Sequence, residues 1–288
     1  MSQVTASKLK TFPLIRAHPR PIVHRTRGRS HGPITRLMSP SDLGEILKPF
    51  VFLDLFDIGK TSFPAGGLHP HSGIATVTHL FEGSVRYEDT TGATGVLPEG
   101  GVEWFRAAGG AWHGGGPGDH KRTRGFQLWI ALPPEQELGP VESIYLAADA
   151  IERDGPARVL VGAYGKAKSS LVAPSSMNYL SVHLKAGESW RYQPPMDHRV
   201  VWIAVGEGSL AIPETVQAGE LIAFESSNEA IYFTAETDVD FVLGSAPHHA
   251  YDLVLGYYSV HTSPSSLQKG EQQVAEIEAR LRQGGRLV

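Results

Sequence analysis

The segment HPHSGIATVTHLFEG, residues 69–83, carries the clearest structural signal in this 288-residue sequence. It opens with two histidines separated by one residue, and it continues as a β-branched and apolar run that ends in the turn pair Glu82-Gly83. Side chains alternate across an extended segment, so the imidazoles of His69 and His71 point to the same side. Two such imidazoles and a third from a neighbouring strand would form a three-nitrogen face for a metal ion. The segment therefore predicts a β-strand protein with a metal site on its strands.

Strand signals continue on both sides of this segment. Short runs rich in Val, Ile, Thr, Tyr and Phe are separated by Gly, Pro and Asp, and they predict strands at 51–56, 76–81, 84–88, 126–132, 179–184, 200–205, 221–224 and 239–244. Regular strands with turn signals between them are typical of a sandwich or barrel. The exception is the C-terminus, where Ser263-Pro264 is a helix start signal and Leu267, Val274, Ile277 and Leu281 recur at helical spacing. We therefore expect an all-β protein with one C-terminal amphipathic helix.

A weak internal repeat divides the sequence. Residues 78–85 resemble residues 203–210 at an offset of 125, and the second Gly turn near Gly100 has a counterpart near Gly219. Each copy places a strand before a tight Gly turn and a second Gly turn before another strand, which indicates a duplicated β-barrel. The strand pattern is interrupted between residues 135 and 175. We expect two domains, residues 1–150 and residues 151–288, with the metal site in the first.

Composition excludes several classes of protein. The sequence has no cysteine, so a metal would be held by histidines and carboxylates, which suits Fe, Mn, Ni, Cu or Zn. The net charge of −4 argues against direct binding to nucleic acid, although residues 1–41 carry eight Lys or Arg and no acid. Pro13, Pro19, Pro21 and Pro33 disfavour the amphipathic helix of a transit peptide, so we expect a solvated arm that packs across a sheet. No apolar run predicts a membrane span or a secretory signal, and we expect a cytoplasmic protein.

Longer motifs give the sequence a family resemblance. The His-Pro-His-x-Gly, Thr-Val-Thr and Glu-Gly elements of residues 69–83 are followed by Gly-x5-Pro-x-Gly from Gly92 to Gly100, which resembles the two-part cupin signature. With Glu103-Trp-Phe-x-Ala-x-Gly-Gly-x-x-His113 and the GFQLW run at residues 125–129, the sequence closely resembles the pirin family. The likeness covers most of the sequence, from Gly28-x-x-His31-Gly32 to the VHTS run at residues 260–263. It implies two tandem cupin, or jelly-roll, β-barrels.

The pirin resemblance also implies one metal site, built from three histidines and one glutamate and usually occupied by iron. His69, His71 and His113 match the three histidines, whereas Gly115 stands where pirins have the glutamate. A further glutamate common in pirins corresponds to Ala75. Loss of an anionic ligand should weaken metal binding and raise the redox potential of bound iron. No His-x-His pair occurs at the corresponding residues 194–196, near His198, so we expect a second barrel without metal.

The sequence leaves the identity of the fourth ligand undecided. Glu103 ranks first, because it falls where ordinary cupins place a metal-binding histidine; His79 and His120 are the alternatives. His79 is expected on the strand face of His71, and His120 on a flexible loop. The glycine-rich segment 109–118 is expected to form a mobile rim of the pocket, because no strand-loop-helix context supports a phosphate loop.

Two functions follow from the resemblance. The first is an oxygenase of the quercetin 2,3-dioxygenase type, in which a metal binds a small aromatic, flavonol-like substrate and O₂ attacks it. The second is a non-enzymatic regulatory protein that binds a protein partner and holds metal weakly or not at all. A sugar- or carboxylate-binding cupin or an isomerase follows from the fold alone. No catalytic residue and no organic cofactor are assigned.

Overall fold

The structure is a computed structural model and describes residues 20–59 and 67–287. The first part of the predicted N-terminal arm, residues 1–19, lies outside the described residues. The strands of the first half are β1 (Ile22–Thr26), β2 (Arg29–His31), β3 (Ile34–Met38), β4 (Phe50–Gly59), β5 (His69–His71), β6 (Ile74–Glu82), β7 (Val85–Asp89), β8 (Thr94–Leu97), β9 (Val102–Arg106), β10 (Ala111–Pro117), β11 (Arg122–Ala131) and β12 (Glu142–Leu146).

The second half continues with the strands β13 (Arg153–Asp154), β14 (Ala157–Val161), β15 (Ala163–Tyr164), β16 (Ala167–Lys168), β17 (Asn178–Leu184), β18 (Ser189–Tyr192), β19 (Val200–Glu207), β20 (Ser209–Ile212), β21 (Glu214–Gln217), β22 (Leu221–Phe224), β23 (Ile231–Ala235), β24 (Val239–Ala246), β25 (Val254–Gly256) and β26 (Ser259–His261). The helices are the short α1 (Leu43–Leu47), a 3-10 turn at Ala148–Ala150 and the terminal α2 (Pro264–Gln283). Each predicted strand overlaps an observed strand, and the all-β prediction is confirmed.

Each half of the chain forms a two-sheet barrel. The first contains a seven-stranded sheet in the order β12-β9-β6-β11-β4-β3-β2 and a four-stranded sheet in the order β5-β10-β7-β8. The second repeats this plan with β1-β22-β19-β24-β17-β14-β13 and β18-β23-β20-β21. Strand β1 comes from the N-terminal end of the chain, yet it pairs with β22 of the second barrel. The expected division into residues 1–150 and residues 151–288 stays a prediction.

Apolar side chains fill the two barrels unequally. One core lies between the two seven-stranded sheets and contains Phe50, Trp104, Tyr179 and Trp202. The inside of the second barrel is filled by a large apolar cluster with Trp190, Phe233 and Phe241 among its members. The corresponding cluster of the first barrel is small and consists of Phe56, Ile58, Leu80 and Leu97, with a few partly buried neighbours. The first barrel therefore keeps internal space, and two of the predicted ligand histidines, His69 and His113, line it.

The C-terminal helix begins where the sequence predicts. Ser263 is its N-cap and accepts a hydrogen bond from the backbone N–H of Ser266, and Pro264 occupies the first turn. Ile277 and Leu281 are buried against Leu68 and Trp112 of the first barrel. The helix thus packs beside strands β5 and β10, although it belongs to the end of the chain. Among the described residues, no helix combines the length and apolarity needed to span a bilayer.

Candidate metal centre

Three histidines converge on one side of strands β5 and β10. The two strands pair antiparallel, with His113 opposite His69 and Ala111 opposite His71. One ring nitrogen from each of His69, His71 and His113 lies within 4.8 Å of the other two. The ring centroids are 4.6 Å apart for His69 and His113, and 5.0 Å apart for His71 and His113. The structure therefore brings together the three residues that the sequence analysis selected as ligands.

The hydrogen bonds of two of these rings leave their other nitrogens free for a metal. His71 donates from Nδ1 to the backbone carbonyl of Tyr258 at 2.9 Å, and His113 donates from Nδ1 to Oε1 of Glu103 at 2.9 Å. The Nε2 atoms of both rings are buried and have no hydrogen-bond partner among the described residues. Metal-bound histidines are commonly oriented by such a bond from the opposite ring nitrogen. The donor set and its orientation fit a divalent ion.

Burial favours the neutral imidazoles of His69 and His71. Burial, with the charge of His113 as a further cause, lowers the pKa of His69 to about 3. The pKa of His71 is lowered well below its ordinary value, by burial first and then by the neighbouring histidines. A neutral imidazole has a lone pair to offer, whereas a protonated one has none. Near neutral pH, protons therefore compete little with a metal ion for His69 and His71.

Glu103 lies behind His113. It belongs to β9, between Thr78 of β6 and Tyr145 of β12, and its side chain is buried. Burial raises the pKa of Glu103, but the charge and the hydrogen bond of His113 outweigh burial and lower it overall. Oε1 of Glu103 contacts Nδ1 of His113, whereas Nε2 of the same ring is the nitrogen available to a metal. Glu103 therefore contacts a candidate ligand.

The other two candidates for the fourth ligand lie away from the three histidines. His79 donates from Nδ1 to the carbonyl of Gly101 and contacts Ser181 of the second barrel through Nε2 at 2.9 Å. The expectation that it shares a face with His71 is wrong, because the chain bends at Gly73, with φ of +74°, between β5 and β6. The ring of His120 is hydrogen-bonded to the hydroxyl of Ser84.

The glycine-rich segment is a strand rather than the expected mobile rim. Residues 111–117 form β10, which pairs with β5 on one side and with β7 on the other. Gly115 lies opposite Tyr87 and lines the same cavity as His113. A Cβ atom at Gly115 would stand 2.9 Å from Cγ1 of Val85 and 3.1 Å from the carbonyl oxygen of Arg86. A glutamate at this position would therefore require the Val85 side chain and the backbone at Arg86 to shift.

A cavity of about 130 Å³ leads from His69 and His113 into the first barrel. Glu103, Gln127 and Thr78 are its polar members, and its apolar wall includes Phe56, Ile58, Val85 and Leu97. Tyr87 and Tyr145 also line it and stack at a centroid distance of 3.5 Å with 6° between the rings. The hydroxyl of Tyr145 donates to Asp89 at 2.9 Å. The cavity is mainly apolar, with a carboxylate beside the histidines.

Sequence reasoning missed several neighbours of the site. Tyr258 binds His71 through its carbonyl, and its ring lies 5.9 Å from that of His69. Phe105 stacks on His113 at 4.3 Å with 2° between the rings, and Trp129 meets His71 edge-on at 4.9 Å. Phe105 and Trp129 occur inside motifs that carry the family resemblance, and their place in those motifs could have marked them as neighbours of the site. Tyr258 lies in a distant hairpin, and no local pattern marks it.

The chain is similar to known proteins in sequence and in fold. The family model described as Pirin matches residues 33–130. A pirin-like protein of Caulobacter vibrioides is 33% identical over 221 residues, which cover 73% of this chain and 79% of that protein. Among solved structures, a quercetin 2,3-dioxygenase from Acinetobacter baumannii superposes with a TM-score of 0.80 at 21% identity over 90% of this chain and 98% of its own. A bacterial pirin from Escherichia coli in complex with nickel(II) superposes with a TM-score of 0.63 at 20% identity, over 80% of this chain and 96% of its own.

Proposed function

This chain belongs to the pirin family, and from that premise we propose that it is a metal-dependent dioxygenase of the quercetin 2,3-dioxygenase type. His69, His71 and His113 would hold one divalent ion, with iron as the first expectation and Mn, Ni, Cu and Zn as alternatives. The substrate would be a small aromatic, flavonol-like molecule that enters the cavity of the first barrel.

The observation that carries the proposal is the pair of unpartnered nitrogens. The Nε2 atoms of His71 and His113 are buried without a hydrogen-bond partner among residues 20–59 and 67–287. A buried polar atom left without a partner costs about 1–3 kcal/mol, so a protein seldom keeps two side by side without a use. A metal ion would satisfy both and His69 together. Three protein ligands also leave coordination positions open for a substrate, as catalytic sites require.

The surrounding residues hold this face in place. Glu103 and the carbonyl of Tyr258 orient His113 and His71 through Nδ1, and Phe56 and Ile58 form part of an apolar cavity wall beside them. A bound divalent ion would polarise the substrate hydroxyl and bring the substrate close to O₂. In a dioxygenation both oxygen atoms enter the products and O₂ is the sole oxidant, so the reaction requires no further cofactor.

Oxygen consumption tests the proposal. Metal-stripped protein is loaded separately with Fe(II), Mn(II), Ni(II), Cu(II) or Zn(II), and O₂ uptake and quercetin absorbance are followed together. We expect uptake with at least one redox-active ion and its loss in His71→Ala. The matched control is His183→Ala, since His183 is about half exposed and lies on the second barrel. Stoichiometric metal binding without O₂ uptake under any loading would overturn the dioxygenase assignment.

A second candidate is a regulatory protein without enzymatic activity. The observation in its favour is the cavity volume, about 130 Å³, because pockets for drug-sized ligands occupy about 300–1,000 Å³. The glycine at position 115 also removes a carboxylate that pirins offer beside the metal. Metal binding without turnover, together with recovery of the same protein partner by wild-type protein and its loss in His71→Ala, would favour this candidate.

A further inference from the structure

Among residues 20–59 and 67–287, the contact between Glu103 and His113 is the one hydrogen bond between a carboxylate and the three histidines. Oε1 of Glu103 and Nδ1 of His113 are 2.9 Å apart, and both side chains are buried. Glu103 also interacts with the hydroxyl of Thr78 on the neighbouring strand. The carboxylate therefore has partners on two strands, His113 on β10 and Thr78 on β6.

The ring of His113 has little freedom either. Phe105 stacks parallel to it at a centroid distance of 4.3 Å. A carboxylate that accepts from Nδ1 also selects the tautomer whose lone pair is on Nε2. That lone pair is the one a metal ion needs, and the Nε2 atom is buried without a partner among the described residues.

The direct position for a carboxylate, residue 115, is crowded by strand β7. At residue 115 a Cβ atom would approach Val85 to 2.9 Å, and the glycine there pairs with Tyr87 in the centre of a four-stranded sheet. Three neutral imidazoles alone would leave the charge of a divalent ion uncompensated. Glu103 contacts the Nδ1 side of His113, so its charge would act on a bound ion through the imidazole ring.

We infer that Glu103 is a positioning residue of the metal centre: it aims Nε2 of His113 at the ion and supplies, through that ring, negative charge that the glycine at residue 115 does not carry. This inference rests on the proposed metal site. A hydrogen-bonded carboxylate makes an imidazole a more basic ligand, and loss of such a partner typically weakens metal binding 10- to 100-fold.

Two substitutions separate orientation from charge. Glu103→Gln keeps an oxygen that accepts from His113 and removes the charge, whereas Glu103→Ala removes both. Glu142→Gln is the matched control, because Glu142 lies on the adjacent strand β12 and contacts Trp104 rather than a ligand. Dissociation constants for Co(II) and Ni(II) are measured by competition with a chelator, and the visible spectrum of the Co(II) protein reports the ligand field.

We expect binding to weaken about 10- to 100-fold in Glu103→Ala and by a smaller but clear factor in Glu103→Gln, with a shifted Co(II) spectrum in both. Glu142→Gln should bind like the wild type. Wild-type affinity in Glu103→Gln together with weak binding in Glu103→Ala would overturn the role of the charge. Wild-type affinity in both Glu103 variants, or equal weakening in Glu142→Gln, would overturn the whole inference.

A measurement without metal keeps this test separate from the proposed function. In the apo protein, ¹⁵N NMR of the histidine rings reports which nitrogen of His113 carries the proton. We expect the proton on Nδ1 in the wild type and a mixture of tautomers in Glu103→Ala. If the wild type binds no ion, the proposed function fails and the charge role fails with it, while the tautomer still decides whether Glu103 positions His113.

Discussion

The Nδ1 atom of His71 donates a hydrogen bond of 2.9 Å to the backbone carbonyl of Tyr258, which lies 187 residues further along the chain. Tyr258 sits in the turn between β25 and β26 and has a positive φ of 53°. The hairpin that carries it runs directly into the terminal helix. The end of the chain therefore completes the candidate metal centre of the first barrel, and the candidate centre does not belong to the N-terminal residues alone.

The conformation of Tyr258 leads to a stability prediction. A non-glycine residue in the left-handed region costs roughly 1–2 kcal/mol, and glycine avoids this cost. We expect Tyr258→Gly to be more stable than Tyr258→Ala by about 1 kcal/mol, measured as the free energy of unfolding in urea. The neighbouring Tyr257 has no positive φ and is 73% exposed, so at that position the alanine variant should be the more stable one. The same order of stability at both positions would contradict the strain argument.

The narrow space at Gly115 leads to a second prediction. Gly115→Glu alone should destabilise the fold by about 1–3 kcal/mol, because its Cβ overlaps Val85. In the double variant Val85→Ala/Gly115→Glu the side-chain obstruction is removed, and a fourth, anionic ligand becomes available beside His113. We expect this variant to bind Co(II) more tightly than Val85→Ala alone, as measured by chelator competition. Equal affinity in these two variants would mean that a carboxylate at residue 115 does not reach the ion.

The strands and the terminal helix could be predicted from the sequence, because residue type and spacing are local signals. The pair His69 and His71 could be predicted for the same reason, since alternation along three residues is enough to place both rings on one side. The alternation of side chains gave the wrong face for His79. The left-handed backbone at Gly73 separates β5 from β6, so the alternation does not continue from one strand to the next. The glycines of β10 predict a loop by propensity, and only pairing with two neighbouring strands holds them extended. Long-range contacts such as that of Tyr258 have no local signature.

A buried polar network beside the site leads to a third prediction. The hydroxyl of Ser72 contacts Nε2 of His261 at 2.9 Å, and Nδ1 of His261 lies 3.3 Å from a carboxylate oxygen of Glu137. All three side chains are buried, so His261→Ala leaves a hydroxyl and a carboxylate without that partner. We expect a loss of about 1–3 kcal/mol in the free energy of unfolding, because buried polar groups lose a partner. His183→Ala breaks an exposed pair with Asp240 and should cost less than about 1 kcal/mol. Similar losses in the two variants would argue against a structural role for the network.

His79 leads to a prediction about pH. Burial is the main cause that lowers the pKa of His79 to about 4, and its ring lies between the two barrels with both nitrogens engaged by Gly101 and Ser181. In the unfolded chain a histidine titrates near pH 6.5, so between about pH 6.5 and pH 4 the unfolded state binds more protons than the folded state. The contribution of the neutral ring to stability is therefore complete above pH 6.5 and falls as the pH drops toward 4.

His79→Gln removes this titration, because a glutamine side chain can donate and accept hydrogen bonds but does not ionise in this range. Between pH 7 and pH 4 the wild type should lose about 3 kcal/mol more stability than His79→Gln, measured by urea unfolding at each pH. His31→Gln is the matched control, since His31 is exposed on the edge strand β2, and it should follow the wild type across the range. A His79→Gln protein with the pH dependence of the wild type would show that protonation of His79 is not coupled to unfolding.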